Sequence, residues 1–404
     1  MYVYGIRRLF PFEKYVLERI KVAEDAAEVR MRRDKRYNLT CPKCGEKMTK
    51  NRSTYQTARD VPLGPARCVM LVYEAIQGRC RACESYSTLH PEGIDPNAKA
   101  TWRMMAFTAH LCRFMPLRRV KRVVPVSTAT ANRWDKRVLE EELPEPDFDD
   151  LKILLVDEKS IWSNHGYITV VLNGEDGDLL HMAEGKKKKA LTSFFDKLTE
   201  EQKDSIEAVA MDRGGAYKAA VEQEIPHADI VFDKFHIIMN YLSDVVDAVR
   251  RSVKRGAVGK KRELIKGQRH NLYRNPENRS ESQKQNLEAV LDAYAELNCV
   301  NTLKEELRRL WDYKYGAWAR KHLNKWIGWA READAIGPLQ RFADSLEGSK
   351  EEILNFFNYR ITNGPLEGFN NVISRIIHRA CGHSDMDYLF LKLRQESLDF
   401  CLQT

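Results

Sequence analysis

Two aspartates each follow an apolar run that predicts a buried strand. Asp157 ends "LLVD" and Asp212 ends "AVAMD". In open α/β sheets, side chains at the carboxyl ends of the strands face the crevice in which ligands bind. If the two strands are neighbours, the carboxylates lie about 5 Å apart, which suits two divalent cations, and their hard oxygen atoms favour Mg²⁺ or Mn²⁺. An aspartate at a strand end can also simply cap the following loop.

A third carboxylate occupies the first turn of a predicted helix. Apolar residues recur three or four positions apart in "PLEGFNNVISRIIHR", which predicts an amphipathic helix with Glu367 near its start. The helix dipole alone favours a carboxylate there by about 0.3–1 kcal/mol. The same position would allow Glu367 to complete a metal site with Asp157 and Asp212. Asn370 and Asn371 are then expected on the exposed face of the helix, near substrate.

Three further polar residues are auxiliary candidates. Asp233 ends a third predicted strand in "DIVFDKFH" and either replaces Asp212 as a ligand or supports it. The turn and helix start in "MDRGGAY" favour Asp212 as the ligand. Arg213, in the same turn, is a candidate phosphate contact. His236 either orients a scissile phosphate, protonates a leaving group or simply packs in the core.

Four of the nine cysteines form two Cys-x-x-Cys pairs, "CPKC" and "CRAC", with strand-like sequence among the 35 residues between them. This spacing predicts a zinc ribbon, in which one structural Zn²⁺ is bound by four thiolates at about 2.3 Å. Binding and folding are then coupled. The alternatives are four thiols buried by coincidence and a redox role for either pair. The predicted ligands are Cys41, Cys44, Cys80 and Cys83.

A helical, basic segment between residues 101 and 140 predicts a helix-turn-helix. Its second helix follows the turn "VPVST" and would insert its N-terminal part into the major groove of DNA. Seven Lys and Arg residues lie between Arg118 and Arg137, with Asp135 as the one acid, and such clusters bind phosphates. A structural helical hairpin is the alternative. The candidate DNA-binding residues are Arg118, Arg119, Lys121, Arg122, Thr128, Thr130, Asn132, Arg133, Lys136 and Arg137.

The bulk properties fit a large DNA-binding protein of the cytoplasm. The chain has 404 residues, more than one hydrophobic core usually serves, and a formal net charge of +8. No apolar run is long enough to span a bilayer, and the N-terminus lacks a signal-peptide core, so we expect no membrane partner. A second basic cluster between Arg250 and Arg269 also favours a polyanionic partner.

The arrangement of predicted elements places the acids in one α/β domain. Pro-rich linkers at 90–100 and 143–150 separate the cysteine pairs, the helix-turn-helix and a run of strands. A long helical stretch with four tryptophans then precedes Glu367. At helical spacing these tryptophans favour a core, although one could stack on an extruded base.

Four blocks in this order resemble the motifs of bacterial insertion-sequence transposases of the ISL3 family: "LLVDE", "AVAMDRGGAYKAAV", "PHADIVFDKFHII" and "ITNGPLEGFNNVISRIIHRACG". The resemblance extends from Cys41 to about Arg394. It implies a multidomain α/β protein, with an N-terminal zinc ribbon and helix-turn-helix, and an RNase H-like catalytic domain interrupted by an all-helical insertion. The expected domains are the zinc-binding domain at 1–95, the helix-turn-helix at 96–145, the catalytic domain at 151–239 and 359–404, and the insertion at 240–358.

The resemblance also implies an activity. The chain would be a DDE-type DNA transposase that binds the terminal inverted repeats of its element and catalyses metal-dependent phosphodiester hydrolysis and strand transfer. Asp157, Asp212 and Glu367 would be the catalytic triad, with two Mg²⁺ or Mn²⁺ ions per site and one structural Zn²⁺. The expected partners are double-stranded DNA, as transposon ends and target, and further copies of the chain in a dimer or higher oligomer, in association with the bacterial nucleoid. The alternatives are a non-catalytic DNA-binding regulator and a structure-selective nuclease of RNase H-like fold.

Overall fold

The computed structural model of the chain describes residues 8–162, 166–380 and 385–401. The described residues belong to two compact units: the first contains those up to residue 145 and those between 372 and 396, and the second contains those between 146 and 371 and those from 397 onwards. Both units combine a β-sheet with helices, which confirms the predicted mixed α/β, multidomain class. In the described part of the chain, every helix is too short or too polar to cross a bilayer.

Seven strands form the sheet of the first unit. Their spatial order is β1-β2-β4-β3-β7-β6, and β5 pairs with the far part of β4. Alternating side chains of β4, including Val69, Leu71 and Tyr73, are buried on one face, as expected for a strand with one face on the core. The strands are β1 (Tyr15–Val22), β2 (Ala26–Arg33), β3 (Met48–Asp60), β4 (Cys68–Cys80), β5 (Ser85–Leu89), β6 (Ile94–Asp95) and β7 (Ala100–Thr101).

A long antiparallel hairpin dominates this sheet. Strands β3 and β4 have thirteen residues each and pair from Met48–Cys80 at one end to Asp60–Val69 at the other. At the second end, Asp60 accepts hydrogen bonds from Thr101 Oγ1 at 2.8 Å and from Arg103 Nε at 2.7 Å. The hairpin is thereby joined directly to the start of the first helix.

Three helices follow the sheet: α1 (Trp102–Phe114), α2 (Leu117–Val120) and α3 (Thr128–Glu142). The hydroxyl of Thr101 caps α1 and that of Ser127 caps α3, since each accepts a hydrogen bond from a backbone N–H three residues further on. The short α2 and the turn before Ser127 separate two longer helices that pack on each other around Trp134. The assignment of these helices as a helix-turn-helix stays a prediction.

The part of helix α18 (Met386–Cys401) that belongs to the first unit packs on α3. Lys392 and Asp135 form an ion pair of 3.2 Å between side chains that are almost completely buried, and Tyr388 donates a hydrogen bond to the same carboxylate. A buried ion pair is retained only when it is well hydrogen-bonded, because each charge is costly to desolvate. The contact therefore fixes the position of α18 on α3.

The second unit contains a five-stranded sheet with the spatial order β10-β9-β8-β11-β12. Counted along the chain, its strands lie in the order third, second, first, fourth, fifth. The first three are antiparallel, and β11 and β12 run parallel to β8. Their bounds are β8 (Ile153–Trp162), β9 (Gly166–Asn173), β10 (Leu179–Glu184), β11 (Ala208–Met211) and β12 (Asp229–Phe232).

Three helices lie between the strands of this sheet: α4 (Lys188–Phe195), α5 (Glu200–Asp204) and α6 (Gly215–Glu224). Phe194 and Phe195 of α4 are fully buried. Tyr217 of α6 reaches β9, where its hydroxyl lies 2.7 Å from that of Thr169. Central strands buried on both faces read as nearly continuous apolar runs, which explains the sequence pattern that predicted them.

Helices fill the interval between β12 and the Glu367 helix. They are α7 (Lys234–Tyr241), continued by a π-helical turn at Leu242–Val246, α8 (Asp247–Gly256), α9 (Gly259–Ile265), α10 (Arg269–Tyr273), α11 (Glu281–Ala293), α12 (Ala295–Arg308), α13 (Gly316–Glu332), α14 (Gly337–Glu347), α15 (Lys350–Leu354) and α16 (Phe356–Tyr359). Helix α17 (Gly364–Ala380) follows. Asn355 and Tyr359 hydrogen-bond to β12, so this segment covers the exposed edge of the sheet.

The tryptophans of the helical segment have different environments. Trp326 is fully buried, donates a hydrogen bond to the Leu303 carbonyl at 2.7 Å and packs edge to face on Tyr241. Trp318 is 57% exposed, with the Lys321 ammonium over its ring. Core packing therefore accounts for Trp326 and not for Trp318.

A buried histidine makes the stability of the second unit pH-dependent. His181 on β10 is buried, and its Nε2 atom lies 3.1 Å from Ser193 Oγ. Burial, and then the charge of Lys197, lower the pKa of His181 to about 4. The unfolded chain binds the imidazole proton more tightly than the folded protein does. The contribution of neutral His181 to the free energy of unfolding is therefore complete above pH 6.5 and is lost as the pH falls towards 4. Between pH 7.5 and 5 we expect a loss of up to about 2 kcal/mol in the free energy of unfolding.

Denaturant titrations at the two pH values check this, with His181→Gln compared to wild type. The variant should lose correspondingly less stability on acidification. The matched control is His227→Gln, which replaces an exposed histidine and should behave as wild type. An identical acid sensitivity of all three proteins would contradict the assignment.

Candidate functional site

Three aspartates lie in one row across three adjacent parallel strands. The last paired residues of β8 and β11 are Leu155 and Ala210, so Asp157 and Asp212, each two residues further on, stand side by side. Met211 pairs with Phe232 of β12, which brings Asp233 next to Asp212. The row results from register alone, since residues in equivalent positions of neighbouring strands share a face.

The strand predicted to end at Asp157 continues to Trp162. The parallel pairing with β11 stops at Leu155, but the antiparallel pairing with β9 continues and places Asp157 opposite Val170. Asp157 therefore lies inside β8, whereas Asp212 and Asp233 lie directly after their strands. The sequence could not show this, because the polar residues after Asp157 resemble a loop.

The carboxylates converge on one imidazole. Ligand atoms of Asp157, Asp212 and His236 all lie within 4.8 Å of one another. His236 Nδ1 is 2.7 Å from Asp233 Oδ2 and also forms an ion pair with Asp212 Oδ1. Asp233 additionally caps α7, where it accepts a hydrogen bond from the Phe235 N–H at 2.8 Å. Asp233 and His236 thus form a supporting pair beside Asp212.

The electrostatics of the cluster favour a cation. Burial, and then the neighbouring Asp212, raise the pKa of Asp157 above the usual range, against a hydrogen bond from Asn370. Burial alone would lower the pKa of His236, but the hydrogen bonds to Asp212 and Asp233 raise it to about 10. Two buried or half-buried carboxylates beside a third, with an imidazole among them, form an oxygen-rich set of the kind that fits a divalent cation.

Helix α17 faces this row with its first two turns. Asn370 Nδ2 donates a hydrogen bond of 2.7 Å to Asp157 Oδ2. Glu367 stands one turn earlier on the same face, since residues three apart are neighbours on a helix. Its side chain is exposed and lines the same cavity as Asp157, but it is not among the described atoms that lie within 4.8 Å of one another. Leu366 and Phe369 are buried and hold the helix in place.

The cavity in front of the row has a volume of about 500 Å³. Strand β8 contributes Asp157 and Lys159 to its wall, the start of α7 contributes Asp233 and His236, and the start of α17 contributes Glu367, Asn370 and Asn371. Asn371 is exposed at its rim. A cavity of this size is typical of ligand sites and is large enough for part of a nucleotide chain.

Arg213 is turned away from this row. Its guanidinium donates hydrogen bonds to the Ser345 carbonyl at 2.7 Å and to the Ser349 hydroxyl at 3.3 Å. Burial lowers its pKa. These contacts join the loop after β11 to α14 and the turn that follows it. They give the Arg213 side chain a structural role that requires no bound phosphate.

The four cysteines of the two Cys-x-x-Cys pairs meet in the first unit. Cys41 and Cys44 precede β3, Cys80 ends β4 and Cys83 follows it, so the hairpin brings the pairs together. The four Sγ atoms lie within 4.8 Å of one another. Backbone N–H groups of Lys43 and Cys44 lower the pKa of the Cys41 thiol to about 7, which favours the thiolate. The cluster is compatible with a zinc ribbon.

Comparison with known proteins adds an independent observation. A family model described as a transposase, of the DDE type and the ISL3 family, matches residues 154–393. The transposase of insertion sequence element IS1001 from Bordetella parapertussis is 30% identical over 359 residues, which cover 88% of this chain and 88% of that protein. The transposase of IS1557 from Mycobacterium tuberculosis is 27% identical over 258 residues, which cover 58% of this chain and 57% of that protein.

The chain belongs to the ISL3 family of DDE transposases. The family predicted from the four sequence blocks is thereby confirmed. The matched residues of the transposase include all three acids of the predicted triad and exclude both Cys-x-x-Cys pairs of the first unit.

The predicted DNA-binding residues of the transposase differ in exposure. Lys136, Asn132 and Thr130 are half-buried, and the others are exposed: Arg118, Arg119, Lys121, Arg122, Thr128, Arg133 and Arg137. Lys136 lies 3.2 Å from Asp385, and Arg137 forms ion pairs with Asp95 and Glu141.

Sequence reasoning placed Asn370 on the outer face of its helix, although its amide binds Asp157. The spacing held a usable signal, because Asn370 lies three residues after Glu367 and shares its face. The contact nonetheless depends on how α17 packs on β8, which no local pattern specifies.

Strand β4 has a cysteine at each end, and only the one in the four-cysteine cluster is expected to affect the zinc content of the protein. Cys80→Ser should lose the one zinc ion per chain, because three thiolates do not close a structural site. Cys68→Ser, at the opposite end of the same strand, should retain it. Metal analysis of the purified proteins distinguishes them, and a full zinc ion in Cys80→Ser would exclude the four-cysteine site.

Proposed function

We propose that this transposase binds the terminal inverted repeats of its insertion sequence and hydrolyses and rejoins DNA phosphodiesters at the Asp157–Asp212 row. The observation that carries the proposal is the pair of carboxylates on adjacent parallel strands, one of which, Asp157, lines a cavity together with Glu367. The membership in a DDE family supports it. The strand order and directions of the second unit support an RNase H-like catalytic domain with a helical insertion at 240–358.

Asp157 and Asp212 are the proposed metal ligands, and Glu367 is the third. Two Mg²⁺ or Mn²⁺ ions, when bound, supply the positive charge that activates a water or 3′-hydroxyl and offsets the charge on the phosphate. Asn370 orients Asp157 by holding one carboxylate oxygen. Such supporting contacts commonly change metal affinity about 10–100-fold when removed.

Asp233 and His236 support Asp212 in this proposal. His236 lies between the two carboxylates, so it fixes the Asp212 side chain next to Asp157 and balances part of the negative charge of the row. Asp233 directly follows β12 and caps α7, the helix that carries His236. The imidazole is therefore positioned by the end of a strand and the start of a helix. A direct role of Asp233 as a ligand is the alternative assignment.

The first unit is the proposed DNA-recognition part. The start of α3 would lie in the major groove of duplex DNA, with Thr128 near the bases, Arg133 near a base or a phosphate, and the residues of α2 near the backbone. The four-cysteine cluster would hold one structural Zn²⁺. Since two ends of an element must be joined to one target, we expect a dimer or a higher oligomer in the complex with DNA.

End cleavage by the full-length protein tests the catalytic assignment. With labelled duplexes carrying the element's terminal repeat and Mg²⁺, Asp157→Asn, Asp212→Asn and Glu367→Gln should each lower cleavage and joining by more than about 100-fold, because each removes a charged ligand. Binding of Mn²⁺, followed by electron paramagnetic resonance, should weaken in the same variants.

The matched control is Glu158→Gln. Glu158 follows Asp157 on the same strand, points to the opposite face and pairs with Lys186 at 3.1 Å, so its loss should leave cleavage near the wild-type rate. Wild-type activity in the Asp157→Asn protein would refute the proposed site. Specific binding of the ends without cleavage would identify a regulator, and cleavage without joining would identify a nuclease.

A further inference from the structure

A second cavity, of about 400 Å³, lies within the first unit beside helix α3. Residues of the sheet and of the turn before β7 form one wall, and α3 forms the other. We call it the basic cleft. It is lined by Thr57 and Arg59 of β3, Met70 of β4, Asn97, Ala98 and Lys99 before β7, and Thr130, Arg133, Trp134 and Arg137 of α3.

The basic cleft has four cations and no acid in its lining. Arg137 is neutralised by Asp95 and Glu141. Arg59, Lys99 and Arg133 have no carboxylate within 4.0 Å in the part of the chain that the structure describes. Positive charges gathered around a cavity repel each other unless an anion neutralises them. The charge of the cleft therefore indicates a polyanionic ligand.

The backbone of Arg59 and of Lys99 is held in a defined position. The Arg59 N–H donates a hydrogen bond of 2.8 Å to the Lys99 carbonyl, and Arg59 pairs with Ala100 of β7. Lys99 has a φ of 51°, in the left-handed region. The preceding turn is fixed by Asp95, whose Oδ1 accepts hydrogen bonds from two backbone N–H groups. Residues kept in such conformations are typical of ligand contacts.

The neutral donors in the cleft match a phosphate chain. Thr57, Asn97 and Thr130 offer hydroxyl and amide groups beside the cations. Contacts to DNA phosphates commonly combine Arg and Lys with Ser, Thr and Asn in this way. When the start of α3 occupies the major groove, the sugar–phosphate backbone that borders the groove lies along the flank of the helix. That flank is the one carrying Thr130, Arg133 and Arg137.

We propose that the basic cleft binds backbone phosphates of the DNA duplex that α3 reads, so that Arg59 and Lys99 of the cysteine-bearing sheet grip the same duplex as the helix-turn-helix. The inference rests on the proposed DNA-binding function and adds a contact surface outside the helix-turn-helix. Arg133 then contacts phosphate and not a base edge. The cysteine-bearing sheet becomes part of the DNA interface.

Phosphate contacts have a distinctive salt dependence. Each neutralised phosphate contributes about −0.9 to the slope of log K against log salt concentration. Loss of one such contact therefore reduces the slope by about 0.9 and lowers affinity near 0.1 M salt by about 10-fold. The reduction is the same for any sequence, because phosphates carry no base information.

Fluorescence anisotropy of the full-length protein tests the proposal. One duplex carries the element's terminal repeat, the other has an unrelated sequence, and the KCl concentration is varied from about 0.05 to about 0.3 M. Arg59→Gln and Lys99→Gln should each weaken binding to both duplexes about 10-fold and reduce the salt slope by about 0.9. Arg52→Gln is the matched control, because Arg52 is an exposed arginine on the same strand outside the cleft. Retention of one zinc ion per chain verifies that the sheet is folded in each variant.

Three results would overturn the proposal. The first is that Arg59→Gln and Lys99→Gln bind both duplexes with the same affinities and salt slopes as Arg52→Gln. Another is a loss confined to the terminal-repeat duplex, which would indicate base contacts. The third is a wild-type protein that binds neither duplex, and this result alone would remove the proposed DNA-binding function as well.

Discussion

Repulsion between carboxylates is the constraint around which the second unit is organised. Two unit charges less than 5 Å apart repel by about 3–4 kcal/mol at the effective dielectric constant typical of protein sites. The register of β8, β11 and β12 nevertheless places three aspartates in one row. The surrounding contacts reduce the cost: the Asn370 amide binds Asp157, and the His236 imidazole lies between Asp212 and Asp233. A site so charged is suited to cations and to the phosphates that cations bring with them.

Several parts of this arrangement were predictable from the sequence for a physical reason. Strands buried on both faces need continuous apolar runs, so the runs before Asp157, Asp212 and Asp233 predicted three strands that the structure contains. The two Cys-x-x-Cys pairs predicted a cluster because their spacing and the strand-like sequence between them allow a hairpin. In each case the residue types and their spacing along the chain carry the signal.

The remaining features depend on tertiary packing. No local pattern indicates that Lys392 lies buried against Asp135, or that Lys136 is paired with Asp385. The same is true of Asn370, whose environment is set by the packing of α17 on β8. The end of β8 was misplaced because a strand with a single antiparallel partner can carry polar residues that resemble a loop. The assignment of Glu367 as a ligand stays a prediction.

The β3–β4 hairpin connects the four-cysteine cluster to the start of α1. One end holds the four thiols, and the other holds Asp60, which binds both Thr101 at the start of α1 and Arg103. Thirteen residues of antiparallel strand cover roughly 40 Å. The same two strands therefore anchor the four thiols at one end and the first turn of α1 at the other, so the packing of that helix depends on the hairpin that also assembles the thiol cluster.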